Sequence, residues 1–195
     1  MASEGLLKRL ENESPAELKR RSLESLNWFK GRIRGIRLNA DQFYKQSVQE
    51  RTRRYLEGRM YTFFYDAKWA DKLPYWDRFP CVIIYDVQPD RMLGINLHYI
   101  APRYRVILLD EMFKYTNNDK FDETTRFRLQ YPVLKSVSKF RWGKPAMKSY
   151  LYGNIMGNAL QISPQYWDII SMLPLAQFQK KNVREVYNDT LRKTI

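Results

Sequence analysis

Four residues, Gln88-Pro89-Asp90-Arg91, separate two apolar runs and constrain the fold more than any other stretch of the chain. Proline fixes φ and aspartate can bond its own backbone, so this is a turn. Before it, Cys81 to Val87 is almost continuously apolar. After it, Leu93, Ile95, Leu97 and Tyr99 alternate with Met92, Gly94, Asn96 and His98 through Ile100, the period-two mark of a half-buried strand. The pattern predicts a hairpin, with the β-branched and aromatic run Met60 to Tyr65 pairing alongside.

Between the first two strands, Asp66 to Pro80 cannot be helix, because Pro74 and Pro80 interrupt it. Tyr75, Trp76 and Phe79 are too large to leave in water. We expect a loop folded over one sheet face, with Asp77 and Arg78 satisfying local backbone or each other; a ligand-gripping loop is the alternative. Beyond the sheet, Pro102 starts a nearly all-apolar helix through about Tyr115, which should lie buried across the strands. Asp122 caps another helix toward Lys139, bent at Pro132. Lys144 to Met156 reads as a further helix, Ala159 to Ile162 as a short edge strand, and Tyr166 to Met172 as a short helix.

The fold class expected is α+β: a small antiparallel sheet of three or four strands covered by helices, with a basic helical N-terminal arm. We divide the chain into an arm over 1–56, a core domain over 57–178 and a tail over 179–195. Ser14-Pro15-Ala16-Glu17 is a capping box opening the arm helix, whose apolar stripe is Leu26, Phe29, Ile33 and Ile36. Lys19, Arg20, Arg21, Lys30, Arg32, Arg34 and Arg37 surround that stripe. Such a helix leans on its own domain, on a partner subunit or on phosphates. Asn39 to Leu56 reads as a connector or second helix. The weakly amphipathic tail, with Val183, Val186, Tyr187 and Leu191, is expected to dock on a neighbouring subunit.

Charge narrows the partner. Lys+Arg 34 against Asp+Glu 21 leaves +13, which argues for a polyanionic neighbour: nucleic acid, an anionic membrane or an acidic protein surface. No run approaches the length of an apolar membrane span, and MASEGLLKRLENES lacks a signal-peptide pattern, so neither spanning nor secretion by that route is expected. Cys81 is the only cysteine, which excludes an intrachain disulfide and suits assembly in a reducing, cytosolic compartment. From Arg126 to Trp167 there is no acidic residue, while Arg126, Arg128, Lys135, Lys139, Arg141, Lys144 and Lys148 lie inside. Phe127, Tyr131, Phe140, Trp142, Tyr150, Tyr152, Tyr166 and Trp167 are interleaved with them. Helical spacing puts Arg128, Lys135 and Lys139 on one face. Cations neutralise phosphates and exposed rings stack on bases, so this run, Trp142 included, is the candidate DNA-binding surface, together with Arg20, Arg21, Lys30, Arg34 and Arg37 of the arm. The competing interpretations are a solvated basic face whose aromatics are core, and a contact surface for an acidic protein partner.

Catalytic patterns are weak. His98 is the lone histidine and reads as a satisfied, partly buried strand residue; a Cys81–His98 nucleophilic pair is only formally possible. There is no zinc-ligand spacing, no phosphate-binding glycine loop and no implied cofactor. Asp86, Asp90, Asp110, Glu111 and Lys114 are the candidates for a Mg²⁺ nuclease, but nothing in the sequence holds Asp110 and Glu111 near Asp86.

One long motif resembles a known family. Met60-Tyr61-x-Phe63-x-Tyr65-Asp66-x-Lys68, then Leu73-Pro74-Tyr75-Trp76-Asp77-Arg78-Phe79-Pro80, then Gly94-Ile95-Asn96-Leu97-His98-Tyr99 with Pro102, is similar to a virion protein of T4-like contractile-tailed phages, of the kind labelled DNA end protector protein. The likeness continues through Asp122-Glu123-Thr124-Thr125-Arg126 and Ser163-Pro164-x-x-Trp167-Asp168, while the arm matches only in character. The resemblance implies a non-enzymatic virion protein on the ends of the packaged linear genome, shielding them from host exonuclease. It carries no defined functional residues. A neck, tail or baseplate component that contacts other virion proteins without a DNA role is the alternative.

Overall fold

The computed structural model describes residue 45, residues 48–116, residue 120 and residues 122–192. The strands are β1 Val48–Thr52, β2 Met60–Tyr65, β3 Trp76–Asp77, β4 Cys81–Val87, β5 Arg91–Asn96, β6 Met147–Leu151, β7 Ile155–Ile162 and β8 Phe178–Gln179. The α-helices are α1 Pro102–Thr116, α2 Glu123–Ser136, α3 Trp167–Met172 and α4 Val183–Arg192. Six strands form one sheet in the order β1-β7-β2-β4-β5-β6, and every neighbouring pair runs antiparallel. β3 and β8 make a separate two-stranded pair.

The hairpin forms as expected: Gln88 N–H donates to Arg91 O at 2.9 Å, and Val87 faces Met92. Beyond Asn96 the expected strand ends. Leu97–Tyr99 is a 3-10 turn whose cap is the Asn96 side chain, which accepts from His98 N–H. The alternation in Met92–Ile100 does not mark a half-buried strand either, because Met92, Gly94, Ile95 and Asn96 are all buried. Gly94 is required there: a Cβ would lie 2.2 Å from Val82 Cγ1 and 2.9 Å from Ile83 O.

The sheet is larger than three or four strands because three segments read otherwise join it. Lys144 to Met156 is not a helix but a 3-10 turn, then β6, a second 3-10 turn and the start of β7. Met147, Tyr150 and Leu151 keep helical spacing, yet in the strand Met147 and Tyr150 face opposite cores, because pairing with β5 overrides the helical period. Ala159–Ile162 belongs not to an edge but to β7, which lies between β1 and β2. A bulge interrupts the β2–β7 register between Thr62 and Phe64, and Gly157, at φ 75°, lies in the segment of β7 opposite it. Val48–Thr52, expected in a connector or second helix, is a short polar strand at the sheet edge, paired with β7.

One sheet face carries all four helices. Met60, Ile83, Ile95 and Leu97 share a core with Leu108, Leu109 and Met112 of α1, Val133 and Leu134 of α2, Trp167 and Ile170 of α3, and Val186 of α4. The tail helix packs on its own chain: Val186 is buried and the Tyr187 hydroxyl meets the Arg105 guanidinium. The opposite face is aromatic. Tyr61, Phe63, Tyr65 and Tyr150 lie under the 66–80 loop, through Ala67, Ala70, Leu73 and Trp76. Phe63 and Tyr65 both meet Tyr150 edge-on, at 5.2 and 4.9 Å between ring centroids.

A buried polar knot closes the loop onto the sheet. Asp77 Oδ2 accepts from Asn96 Nδ2 at 3.1 Å and His98 Nδ1 at 2.7 Å, and Oδ1 from Phe79 N–H and Gln177 N–H, each at 3.1 Å. Asp77 thus pairs with His98 rather than with Arg78, whose side chain is exposed, and His98 is fully rather than partly buried. Burial alone would raise the Asp77 pKa; the pull of His98 and the bonds from Asn96 and Gln177 outweigh it, and the carboxyl titrates below its ordinary range. A buried cation, Arg105, donates to Ile100 O at 2.6 Å, to Ser171 O and to the Tyr187 hydroxyl, tying α1 to α3 and α4.

Candidate nucleic-acid interface

α2 turns a sequence rule into a surface. Asp122 caps it by accepting from Thr125 N–H at 2.7 Å, and Val133, Leu134 and, just beyond the helix, Val137 face inward. That orientation leaves Arg128 and Lys135 in water, followed by Lys139 on the 3-10 turn Val137–Lys139. The chain then turns tightly: Gly143 and Lys144 N–H both donate to Phe140 O at 3.0 Å. Gly143 is buried, and a Cβ there would sit 2.3 Å from Val137 O. Arg141 and Lys144 project from this turn into solvent.

The seven cations of the acid-free run are not equivalent. Arg128, Lys135, Lys139, Arg141 and Lys144 are exposed, and Arg141 also reaches Leu191 O at 3.4 Å, near the C-terminal end of α4. Arg126 is half-buried and lines a cavity of about 310 Å³ with Gly58, Phe127, Gln130 and Trp167. Lys148 is half-buried, its ammonium 4.1 Å from the centre of the Tyr99 ring.

Several of the interleaved aromatics pack inward, but Tyr131 is 37% exposed on α2, with the Lys135 ammonium 6.0 Å from its ring centre. Trp167 and Tyr150 are buried. Trp142 stacks on Tyr104, with centroids 5.2 Å apart and planes 3° apart, and on Phe140 at 5.2 Å and 11°. Arg103 extends the column, its guanidinium 4.6 Å from the Tyr104 ring centre. The Trp142 ring is thus occupied within the chain, and the run offers charge without an open stacking platform there. Arg20, Arg21, Lys30, Arg34 and Arg37 lie outside the described residues.

The catalytic candidates are not assembled. Among the described residues no group of three or more His, Cys, Asp or Glu side chains is placed to hold a metal ion. Asp86 receives Gln88 Nε2 at 2.8 Å, Asp90 pairs with Arg91, Asp110 is exposed and Glu111 is buried; the Lys114 side chain falls outside the described set. Cys81 is fully buried, which pushes its thiol up to about 12 and leaves it unreactive. No described helix is long and apolar enough to cross a membrane.

Residues 5–193 match the family described as phage T4 terminal DNA protecting protein. The chain belongs to that family. No curated protein and no solved structure matches it. The family match covers both the α2 ridge and the motif-bearing sheet.

In a member of this family, one exposed group stands out that charge counting misses. Trp69 is 57% exposed, on the turn that follows β2, with Lys68 and Lys72 beside it. Its sequence signal is a tryptophan flanked at −1 and +3 by lysine, which is faint beside the larger aromatic cluster a few residues later.

Proposed function

We propose that this protein is a non-enzymatic virion component that sits on the ends of linear double-stranded DNA and shields them from exonuclease by occlusion. The observation that carries the reading is the exposed cationic ridge of Arg128, Lys135, Lys139, Arg141 and Lys144 on a chain of the terminal DNA protecting family. A basic surface of this kind binds a phosphate backbone without reading sequence. Arg126 and Lys148, each half-buried, contribute potential more than direct contact. Trp142 supports the ridge as packing rather than as a base-stacking ring. Arg20, Arg21, Lys30, Arg34 and Arg37 of the arm add further phosphate-binding charge to the chain. Other virion proteins, further copies of this chain included, would hold the complex in the particle.

A gel shift with blunt linear duplex at rising salt tests this. For six or more phosphate contacts, affinity falls on the order of 10³-fold or more between about 50 and 200 mM salt. Binding that is absent, or flat across that range, overturns the reading. Arm deletions that stop particle assembly while leaving DNA binding intact would favour a purely structural neck, tail or baseplate component.

A further inference from the structure

Resting on that end-binding reading, we propose that Trp69 is the end sensor: its ring stacks on the exposed face of the terminal base pair. Trp69 is the most exposed of the large hydrophobic side chains among the described residues. Its turn is held firmly. Ala70 N–H donates to Ala67 O at 3.0 Å, and Lys72 and Leu73 N–H both donate to Trp69 O, at 3.0 and 2.9 Å. Ala67 is buried against the aromatic sheet face. From outside, Lys180 Nζ donates to the carbonyls of Ala70, Asp71 and Leu73 at 2.7, 3.1 and 2.9 Å. Lys180 itself has φ 68°, the sole positive-φ residue other than glycine among those described, so local backbone strain accompanies this clamp. A large ring is therefore presented to water by a pre-organised support, where a merely mobile surface tryptophan would have none.

The surroundings of the ring specify the ligand. Lys68 and Lys72 ammonium groups lie 5.5 and 5.1 Å from its centre, on flexible stems that can swing to phosphates at the rim of a base pair. Asp66 and Asp71 are exposed on the same turn and offset them, so this contact is a stacking contact with little net charge. Duplex DNA buries every base face except at its termini. A ring can stack on an end without unstacking anything, whereas in the interior a step must first be opened. The turn lies over the sheet face opposite α2, so end sensing and phosphate holding reside on separate surfaces and can be removed separately.

The test competes a blunt linear duplex against a covalently closed circle of the same sequence, using the full chain, with 2-aminopurine at the terminal or an internal position of the linear DNA. The wild-type chain prefers the linear form by a ratio that stays nearly constant as salt rises, and it perturbs terminal but not internal 2-aminopurine. Trp69→Ala lowers the preference by about 10- to 100-fold, the scale of one stacked base, and abolishes the terminal signal, while its affinity for the circle is unchanged. Trp69→Phe keeps most of both, which separates loss of the ring from damage to the turn. Retention of end preference and terminal signal by Trp69→Ala overturns the proposal alone. A wild-type chain that binds circle and linear DNA equally overturns the end-binding reading beneath it.

Discussion

The α2 ridge and the Trp69 turn solve opposite problems on opposite faces of one sheet. On the ridge, Arg128, Lys135, Lys139 and Lys144 stand in water while the neighbouring rings of Trp142, Tyr150 and Trp167 are consumed by packing. On the turn, the ring is outside and the cations around it are offset by Asp66 and Asp71. On the proposed reading, charge confers affinity that salt removes, and the ring confers discrimination that salt leaves alone. Aromatic residues near lysines in a sequence therefore say little about stacking until it is known which side of the backbone faces the core.

The comparison can be broken most forcefully at Asp77, which joins the loop carrying Trp69 to the sheet. Asp77→Ala leaves His98 and Asn96 without their buried acceptor and frees two backbone N–H groups. We expect a loss of about 3–5 kcal/mol, or a thermal midpoint lower by about 6–20 °C. End preference should collapse with the loop, while the ridge keeps its salt-dependent affinity for circular DNA. An unchanged midpoint in calorimetry would refute the knot as the anchor.

Next in size is the ridge. Lys135→Glu with Lys139→Glu should weaken linear and circular DNA in parallel and reduce the log–log salt slope by about two, one for each phosphate that is no longer neutralised. A selective loss of linear binding would instead place end sensing on α2.

Acid titration sharpens the distinction through the same aspartate. The Asp77 pKa is lower folded than its ordinary value of 3.8, so the native state releases that proton first. Its stabilisation is fully present above the ordinary value and fades as pH falls through the depressed one. Equilibrium unfolding between about pH 5 and pH 2 should therefore show a steep acid limb that Asp77→Asn flattens. The smallest effect belongs to Lys148. Because its ammonium faces the Tyr99 ring, Lys148→Met should cost at most about 1–2 kcal/mol of stability and leave the salt slope within error.

Much of this frame was legible in the chain. The Gln88–Arg91 turn, the apolar face of α1 and the Asp122 cap each rest on local chemistry that tertiary structure preserved. β6 was not, since Met147, Tyr150 and Leu151 keep helical spacing and only pairing with β5 imposes the strand. β1 escaped because Val48-Gln49-Glu50-Arg51-Thr52 is a polar edge strand without an apolar signal. The ridge cations were legible because burying a charge costs so much that most lysines and arginines stay in water. Trp69 was not, because exposure of a ring is decided by what the loop does around it, here by Lys180, more than one hundred residues downstream in the chain.

The most direct measurement of the central claim is the fate of a blunt linear duplex carrying one internal restriction site, saturated with the full chain. A double-strand exonuclease and the restriction enzyme are then applied in parallel. End protection predicts that exonuclease digestion stops while the internal site is cut at the rate of bare DNA. Equal protection of both, or protection of neither, would contradict the account.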